Sequence, residues 1–548
     1  MKRPASSGSE TLVVAQLAAA VSIAAFFYHL RHDNLLLYGD AVAHINIARR
    51  VFDSQTPGPL QLGTVWLPLP HLLMLPFLVP RWLWQTGIGG SIPSLIAYVF
   101  SVMGTFRLVR TVLPAPDGSA EDWISGFAAW LAAGVFALNP NLIYLQTTAM
   151  TEPLYLAFFI WALVFLSQAV RGGAGGEAAF ANSSLVKSGC CVLAGCLTRY
   201  DGWFLAALIA FIAILLAWIG GFPALRPGVK NLVLLAAAGP ILWLGYNAAI
   251  YRNPLEFANG PYSARAIEQK TAVAGQPPHP GTNNLPLAFR YFFKAAELNL
   301  APSKMQVFWA AALLLGTAIV LLFQRKLWPL LILWAPVPFY MLSIAYSGVP
   351  VFLPVWWPFS FYNTRYGVEM LPAFAALSAA GAYGLIRFAA GGRARTVIAA
   401  VFLGFPGASY LWMLRSTPVS FEEAVVNART RVGLEKQMAS ILEAFPADSR
   451  FVMYLGDHVG AFQRAGIPLE HVINEGNHRP WKQPRDPQGL WEKALDHPAA
   501  YADYVVAFAG DAVANAVNKS ELESVIVVHV TGQPEAIIYR TVKSNQAR

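Results

Sequence analysis

The sequence TLVVAQLAAAVSIAAFFYHL at residues 11–30, followed by YGDAVAHINIARR at residues 38–50, decides how this chain is interpreted. The first stretch is an apolar run of about 20 residues, which is the length that crosses a bilayer as a helix. The apolar core of a signal peptide has only about 7–15 residues, so we expect an uncleaved first membrane span. The second stretch is predicted to be a short helix, with Asp40 and His44 four residues apart on one face.

The composition supports a membrane protein with a soluble part. Of 548 residues, 56% are hydrophobic and 13% are charged, and the mean hydropathy is +0.46, whereas a soluble domain carries about 25% charged residues. The formal charge is +9, but much of the lysine and arginine flanks apolar runs, so we predict no nucleic-acid binding. The sequence has no Walker motif, HExxH or CxxC, so an ATPase or a zinc peptidase is unsupported.

Apolar runs predict about eleven membrane spans, at 11–30, 91–112, 124–142, 153–170, 186–199, 203–219, 231–250, 304–323, 327–346, 366–387 and 396–414. Basic residues of alternate loops fall on the same side as Lys2 and Arg3, so we place the N-terminus in the cytoplasm. An odd number of spans then places the C-terminus outside the inner (plasma) membrane. We therefore predict a polytopic α-helical membrane domain over 1–414, with a first outer loop at 31–90.

Residues 415–548 are predicted to form a soluble extracytoplasmic α/β domain. Alternating apolar residues indicate short strands near 450–455, 470–474, 504–508, 524–530 and 536–541. Short helices are expected between them. The helix that precedes the first strand is expected to begin with Ser420 as its cap and Glu423 three residues later, as in a capping box.

Ionisable side chains gather at the predicted outer ends of the spans, whereas the inner ends carry mostly lysine and arginine. The outer set is Asp40, His44, Asp53, His71, Glu152, Arg199, Asp201, Arg365 and Glu369. Acids at a membrane border are costly unless they are solvated or paired. Their gathering therefore predicts a polar cavity on that side.

Spacing alone leaves alternatives for these acids and histidines. Asp40 follows Gly39 and either acts as a general base or caps a helix N-terminus. His44 either assists Asp40, binds a metal or phosphate, or packs in the interior. Glu152 precedes Pro153, so catalysis and stabilisation of a helix N-terminus are both open.

The arginines and the Trp66–His71 segment also have two interpretations. Arg199 and Arg365 each precede a tyrosine at a span border, where arginine anchors lipid headgroups or binds phosphate through paired hydrogen bonds. Glu369 lies four residues after Arg365, so an ion pair between them is predicted. The segment WLPLPH at 66–71 is stiffened by proline, and it either rests on the membrane surface or shapes a pocket for a sugar or an isoprenoid.

In their order along the chain, these motifs resemble those of the GT-C membrane glycosyltransferases, in particular the branch of the protein O-mannosyltransferases and the lipid A aminoarabinose transferase. The resemblance covers residues 10–390 and rests on GDAxxH at 39–44, WLPLPH at 66–71, TEPL at 151–154, LTRYDG at 197–202 and TRY at 364–366. The chain differs at Ala41, where O-mannosyltransferases have Glu, and at Pro68–Pro70, where the aminoarabinose enzymes have Lys-Pro-Pro.

The resemblance implies a GT-C-like fold and a hexosyl- or pentosyl-transferase that uses a polyprenyl-phosphate sugar at the outer face of the membrane. It implies Asp40 as the base for an inverting displacement, Glu152 as a second catalytic acid and Arg365 near the lipid phosphate. The predicted substrate-binding residues are His44, His71, Arg199, Tyr200, Asp201, Arg365 and Tyr366. The acceptor is a lipid, a glycan or a protein. No metal ligands are assigned, and a divalent cation is left open as a cofactor.

A membrane transporter, or a lipid-binding assembly protein without transferase activity, is the alternative function. A transporter would carry ionisable residues at mid-span and related halves. The sequence instead places its polar residues at one border and shows no internal repeat. In an assembly protein, Asp40→Asn would leave function unchanged.

Overall fold

The computed structural model describes residues 6–113, 122–271, 277–322, 325–478 and 486–542, so Lys2 and Arg3 lie outside the described residues. The α-helices are α1 (Ser6–Arg31), α2 (Gly39–Arg50), α3 (Leu69–Leu78), α4 (Arg81–Gln85), α5 (Ile88–Val112), α6 (Asp122–Ala137), α7 (Pro140–Leu145), α8 (Glu152–Ala174), α9 (Ala178–Cys196), α10 (Asp201–Trp218), α11 (Arg226–Tyr251), α12 (Glu256–Asn259), α13 (Ala264–Thr271), α14 (Leu285–Leu300), α15 (Ser303–Leu322), α16 (Pro336–Tyr346), α17 (Leu371–Phe388), α18 (Gly392–Arg415), α19 (Val419–Leu442), α20 (Gly460–Ala465), α21 (Leu490–Asp496), α22 (Pro498–Tyr501) and α23 (Ala512–Ala516). The strands are β1 (Phe451–Met453), β2 (Val472–Ile473), β3 (Tyr504–Phe508), β4 (Leu522–Val528) and β5 (Ala536–Thr541).

Nine helical segments of the described ranges are long and apolar enough to cross a membrane: Gly8–Arg31, Ile88–Val112, Glu152–Ala174, Asp201–Trp218, Pro223–Tyr251, Ser303–Leu322, Leu327–Tyr346, Thr364–Phe388 and Gly392–Leu442. The predicted polytopic helical architecture is confirmed, with nine such segments instead of about eleven. The predicted span 124–142 is α6, whose 16 residues cover only about 24 Å of a bilayer core of about 30 Å. The predicted span 186–199 overlaps the second half of α9, which contains Lys187 and is not among these nine segments.

Residue contacts divide the chain into two compact units. The first unit comprises Met1–His32, Pro93–Trp243 and Ala258–Glu423. The second unit comprises Asp33–Ile92, Leu244–Phe257 and Ala424–Arg548. Nearly all of the predicted first outer loop therefore belongs to the same unit as the C-terminal region. The predicted domain limits at 1–414 and 415–548 stay a prediction.

The first unit is a helical body around α17, which is buried along almost its whole length. Helix α17 packs against α6 and α15, and α8 packs against α9. Alanine and glycine make up much of α17. In lipid the hydrophobic effect does not hold helices together, and small residues promote their association because they let the helices approach closely. At Gly316 of α15, an added Cβ would meet the backbone of Leu377.

The second unit contains a five-stranded sheet in the order β2-β1-β3-β5-β4. Strand β1 pairs in parallel with β2 and β3, and β5 pairs antiparallel with β3 and β4. Strand β3 is buried at every residue. The hydrophobic core of the second unit includes Val452, Ile473, Trp491, Leu495 and Val505. The α/β fold predicted for the C-terminal region is confirmed.

Candidate functional site

Three apolar segments of the first unit begin where charged side chains meet. Helix α8 begins at Glu152, α10 begins at Asp201, and the segment that continues into α17 begins with a 3₁₀ turn at Thr364–Met370. The tight turn between α9 and α10 carries Arg199. Because these elements begin next to one another, their polar first residues form one buried group. We call the group Glu152, Arg199, Asp201, Tyr340, Arg365, Glu369 and Glu423 the arginine cluster.

Arg199 is the centre of this cluster. A guanidinium group has five N–H donors, and those of Arg199 lie 2.8–3.2 Å from five acceptor side chains. The acceptors are Thr151, Glu152, Asp201, Tyr340 and Glu369. Three of these contacts, to Thr151, Asp201 and Tyr340, are hydrogen bonds, and those to Glu152 and Glu369 are ion pairs.

Arg365 joins the same cluster from the 3₁₀ turn. Its Nε donates to Oε1 of Glu152 at 3.1 Å, and its Nη1 donates to Oε1 of Glu423 at 3.2 Å. The backbone N–H of Arg365 donates to Oε2 of Glu423 at 3.0 Å. Oε1 of Glu152 thus bridges the guanidinium groups of Arg199 and Arg365.

The cluster holds more acid than base. Two guanidinium groups face the four carboxyl groups of Glu152, Asp201, Glu369 and Glu423. Glu152, Glu369 and Glu423 are fully buried. Oε2 of Glu152 and Oε2 of Glu369 have no hydrogen-bond partner among the described residues. Burial of carboxyl groups without a matching base is costly.

Aromatic residues close the cluster. The hydroxyl of Tyr340 lies 2.7 Å from Oε1 of Glu369 and 3.2 Å from Oδ2 of Asp201. The guanidinium carbons of Arg199 and Arg365 lie 4.8 Å and 5.1 Å from the centre of the Tyr366 ring. Such cation–π contacts hold both cations beside an apolar surface.

Two glycines bring the backbone of this site into contact with its neighbours. An added Cβ at Gly202 would lie 2.4 Å from the carbonyl oxygen of Gly195, and one at Gly367 would lie 2.3 Å from the carbonyl carbon of Ala295. Only glycine allows these close approaches, which place Asp201 and Arg365 against α9 and α14.

The structure corrects the predicted ion pair between Arg365 and Glu369. Oε1 of Glu369 lies 3.1 Å from Nη2 of Arg199 instead. The prediction assumed an α-helix, in which residues four apart share a face. Residues 364–370 form a 3₁₀ turn, where residues three apart are aligned and residues four apart diverge by about 120°.

The predicted capping box at Ser420 and Glu423 is also wrong. Helix α19 begins at Val419, so Ser420 is inside it. The hydroxyl of Ser420 donates to Oδ1 of Asn299 at 2.7 Å, and the Glu423 carboxylate accepts from Arg365. Both side chains therefore make tertiary contacts. Glu423 was predicted only as part of that cap and Tyr340 was not singled out, so the sequence predicted neither as a member of the cluster.

Asp40 belongs to the second unit. It is the second residue of α2 and is half-buried. Tyr38 is at the N-cap position and has no side-chain capping bond, so Asp40 is not the cap of this helix. An acid in the first turn is favoured by the helix dipole.

His44 and His71 form a buried pair in the second unit. Nδ1 of His44 lies 2.9 Å from Nε2 of His71, and the two side chains are 2% and 0% exposed. The ring of Trp66 lies 4.6 Å from that of His44. Burial, followed by electrostatic interaction with His44 and Arg50, lowers the pKa of His71 well below its ordinary value. His44 is therefore packed in the interior of the second unit, and its predicted role in substrate binding stays a prediction.

The rest of α2 is fixed by hydrogen bonds within the second unit. Nδ2 of Asn46 donates to Gln463, and Oδ1 of Asn46 accepts from Trp84. Arg49 binds Asp53 at 2.5 Å and donates to the carbonyl oxygen of Leu78 at the end of α3. These contacts leave the helix that carries Asp40 little freedom to move.

The approach to α2 is fixed by Arg431. Its Nη2 donates to the carbonyl oxygens of Leu36 and Leu37 at 2.9 Å and 2.8 Å. It also pairs with Glu435. Residues from α19 thus hold the segment that leads directly into the Asp40 turn.

The predicted site residues fall into three sets. Glu152, Arg199, Asp201, Arg365 and Tyr366 meet in or beside the arginine cluster, while Asp40 and the histidine pair belong to the second unit. Tyr200 contacts Trp243 through its hydroxyl, at 3.2 Å. The described ranges contain no group of three His, Cys, Asp or Glu side chains arranged to hold a metal ion, and the divalent cation stays an untested expectation.

Comparison with known proteins reveals a shared fold. The crystal structure of ArnT from Cupriavidus metallidurans bound to undecaprenyl phosphate matches 96% of this chain and 98% of its own, with a TM-score of 0.56 and 14% identity. The apo state of ArnT matches 97% and 98%, with a TM-score of 0.55 and 15% identity. No protein-family model matches the sequence, and comparison with curated proteins gives no match. The similarity shows that this chain shares its fold with ArnT, as the predicted polytopic architecture with a C-terminal α/β region requires.

Proposed function

We propose that this chain is an integral-membrane glycosyltransferase that moves a sugar from a polyprenyl-phosphate donor to an acceptor hydroxyl. The observation that carries the proposal is the arginine cluster, where two buried guanidinium groups meet at the first residues of apolar helices. Guanidinium groups bind phosphate oxygens well. The undecaprenyl phosphate bound by ArnT, which shares the fold, supports this class of carrier.

A lipid-linked donor also fits what the sequence lacks. Such a sugar is already in the bilayer, so the enzyme needs no nucleotide site, and the sequence contains no nucleotide-binding motif. We place the reaction at the outer face of an inner membrane, with the N-terminus cytoplasmic and the C-terminal domain extracytoplasmic. A hexose and a pentose both fit the proposal, as do a lipid, a glycan and a protein acceptor.

In the proposed reaction, Asp40 is the general base. It takes the proton of the acceptor hydroxyl while the hydroxyl oxygen bonds to the anomeric carbon. The bond from that carbon to the lipid phosphate breaks, and the phosphate leaves as an anion. One such displacement inverts the anomeric configuration. The hydrogen bonds of Asn46 and Arg49 suit this role because they fix the helix that carries Asp40.

Of the two arginines, we assign Arg365 to the leaving phosphate, whose developing charge it would stabilise. Arg199 makes three hydrogen bonds and ion pairs with three carboxyl groups of the cluster, so we assign Arg199 to holding Glu152, Asp201 and Glu369 in place. Glu152 is the second acid of the site. It orients Arg365 through Oε1.

We assign the other predicted substrate-binding residues by their contacts. Tyr366 lies beside both guanidinium groups and faces the donor headgroup in this proposal. The carboxylate of Asp201 and the hydroxyl of Tyr200 are engaged with Arg199 and Trp243, and we assign both to support of the site. His44 contacts the substrate or Asp40.

The test is a transfer assay with purified protein, radiolabelled polyprenyl-phosphate sugars and a membrane extract of acceptors. Asp40→Asn is expected to lower transfer by about 10²- to 10⁴-fold, because it removes the general base. Glu152→Gln is expected to lower transfer by about 10-fold or more, because it weakens a charged hydrogen bond to Arg365.

Asp33→Asn and Glu177→Gln are the matched controls, since both acids are exposed, and they should retain full transfer. Equal transfer by all five proteins would overturn the catalytic assignment. Binding of polyprenyl phosphate without transfer to any acceptor would favour a lipid-binding assembly protein instead.

A further inference from the structure

One connection between two candidate membrane-crossing segments of the first unit has an unusual composition. The segment Leu327–Tyr346 ends where residues 347–363 begin, and Thr364–Phe388 follows directly. The connection has the sequence SGVPVFLPVWWPFSFYN, with six aromatic residues and no acidic or basic one. By contrast, residues 251–271 of the preceding long loop contain five charged residues. Charged side chains are typical of protein surfaces in water, so the composition of 347–363 indicates a different surrounding.

The base of this connection is fixed at the membrane border. Phe352 and Tyr362 pair as an antiparallel bridge with backbone hydrogen bonds of 2.9 Å and 3.3 Å, so we call residues 347–363 the aromatic hairpin. Nδ2 of Asn363 donates to the carbonyl oxygen of Pro350 at 3.0 Å. Oγ1 of Thr364, the first residue of the second segment, donates to the carbonyl oxygen of Phe352 at 2.9 Å. A chain that leaves a bilayer and crosses it again must return to the same border, so both ends of the hairpin lie there.

The tip of the aromatic hairpin is tied to helix α14. The hydroxyl of Tyr291 in α14 donates to the carbonyl oxygen of Trp357 at 2.7 Å. The next residue, Phe292, stacks on Tyr340 with 4.5 Å between the ring centres. Tyr340 lies six residues before the end of the first crossing segment, which is about 9 Å along a helix. The helix that holds the tip therefore packs inside the border, and the tip is kept close to the membrane.

One side of the aromatic hairpin is covered by His279. The His279 ring centre lies 4.7 Å from that of Tyr291 and 5.3 Å from that of Phe352. Its Nδ1 accepts from the backbone N–H of Gly281 at 2.9 Å, so its Nε2 carries the proton and donates to the carbonyl oxygen of Val351 at 3.0 Å. This side of the hairpin thus has its partners within the first unit.

Three large apolar side chains near the tip are exposed. Val355, Trp357 and Phe359 are 45%, 39% and 67% exposed. Phe359 also has a φ of 57°, in the left-handed region, where a bulky side chain is strained. Exposure of apolar surface to water is unfavourable, whereas tryptophan is enriched where a membrane meets water. The tip therefore presents a surface that suits a bilayer interface.

We propose that the aromatic hairpin is a membrane anchor, in which Val355, Trp357 and Phe359 insert into the interfacial region of the bilayer that the two flanking segments cross. Its partner is lipid, at the level of the headgroups and the first acyl carbons. The uncharged composition, the fixed base and the tip tied to α14 together favour lipid over a soluble protein, because they keep the exposed side chains at the membrane border. The proposal does not depend on sugar transfer.

The test measures the depth of a fluorescent label in the purified full chain, reconstituted into lipid nanodiscs. The three native cysteines are replaced by serine, and Val355→Cys carries the label, so that Trp357 and Phe359 stay in place. Lipids with a nitroxide near the headgroup or deep in the acyl chain, and iodide in the water, serve as quenchers. We expect the shallow nitroxide to quench this label more strongly than the deep nitroxide or iodide.

Two further label positions calibrate the depth. Leu314→Cys, at an exposed residue in the middle of the segment Ser303–Leu322, should be quenched most strongly by the deep nitroxide. Glu177→Cys, at an exposed charged residue between α8 and α9, should be quenched most strongly by iodide. A label at position 355 that behaves like either calibration label would overturn the proposal. Protection from all three quenchers would also overturn it, because protein would then cover the tip.

The role of the aromatic residues is tested in the chain labelled at position 355. Trp357→Glu combined with Phe359→Glu should move the label into water, so that iodide becomes the strongest quencher. Phe359→Leu is the matched control and should keep the label at the shallow depth, because it preserves an apolar side chain. If the double variant left the label at that depth, the flanking segments alone would set its position, and the hairpin would not be an anchor.

Discussion

The arginine cluster of the first unit and the histidine pair of the second unit solve the same problem, a polar group in the protein interior, in different ways. The cluster places the guanidinium group of Arg199 against the carboxyl groups of Glu152, Asp201 and Glu369. The pair connects its two rings by one hydrogen bond, and burial lowers the pKa of His71. A charged cluster depends on every partner, because the removal of one leaves the others without compensation. Removal of one ring of the histidine pair breaks the one hydrogen bond between them.

The largest effect is expected from Arg199→Met in the first unit. The substitution leaves three buried carboxylates without their common cation, and breaking a buried ion pair costs about 3–5 kcal/mol. Thermal unfolding of purified protein in detergent would measure the loss. The control is Arg393→Met, at an exposed arginine of the same unit, which should leave the unfolding temperature unchanged. A loss equal to that of the control would mean that the cluster is not held by charge.

The partners of Arg199 also show which parts of the site could be predicted from sequence. Glu152, Arg199, Asp201 and Arg365 could be predicted because each is a polar residue next to an apolar run. Similarly, the predicted strands at 504–508 and 536–541 coincide with β3 and β5, because strand alternation is a local pattern.

The pairing of these residues could not be predicted, because it depends on the tertiary structure. Glu423 lies 58 residues from Arg365, and its spacing from Ser420 fits a capping box equally well. Tyr340 is one tyrosine within an apolar run and has no polar neighbour in sequence. The predicted partner of Glu369 was wrong because the sequence did not distinguish a 3₁₀ turn from an α-helix.

Glu423→Gln is expected to have an intermediate effect on stability. The amide keeps the shape of the side chain but removes the charge that Arg365 contacts at its Nη1 and backbone N–H. A hydrogen bond to a charged group contributes about 1.5–3 kcal/mol, so we expect a loss in that range. Chemical unfolding would measure it.

The neighbouring Glu422 provides the matched control for that experiment. Glu422 is exposed, whereas Glu423 is fully buried, so Glu422→Gln should change stability very little. If both substitutions had the same effect, the contact between Glu423 and Arg365 would contribute nothing to the stability of the first unit.

The smallest effect is expected from protonation of the histidine pair. Burial lowers the pKa of His71 in the folded protein, while the unfolded chain has a pKa of about 6.5. Below that pH the unfolded state binds the proton and the folded state does not, so stability falls as the pH falls, by at most about 1.4 kcal/mol per pH unit. The titratable and charged groups that lower the pKa of His71 are His44 and Arg50. Asp40 lies one turn before His44 on α2. The free energy of unfolding of wild type and His71→Gln is measured over about two pH units around that pKa, from about pH 7.5 to about pH 5.5. Its dependence on pH should be shallower for the variant. Parallel slopes would mean that the ring of His71 takes up its proton in the folded state as readily as in the unfolded chain. Burial of the pair would then cost no stability at low pH.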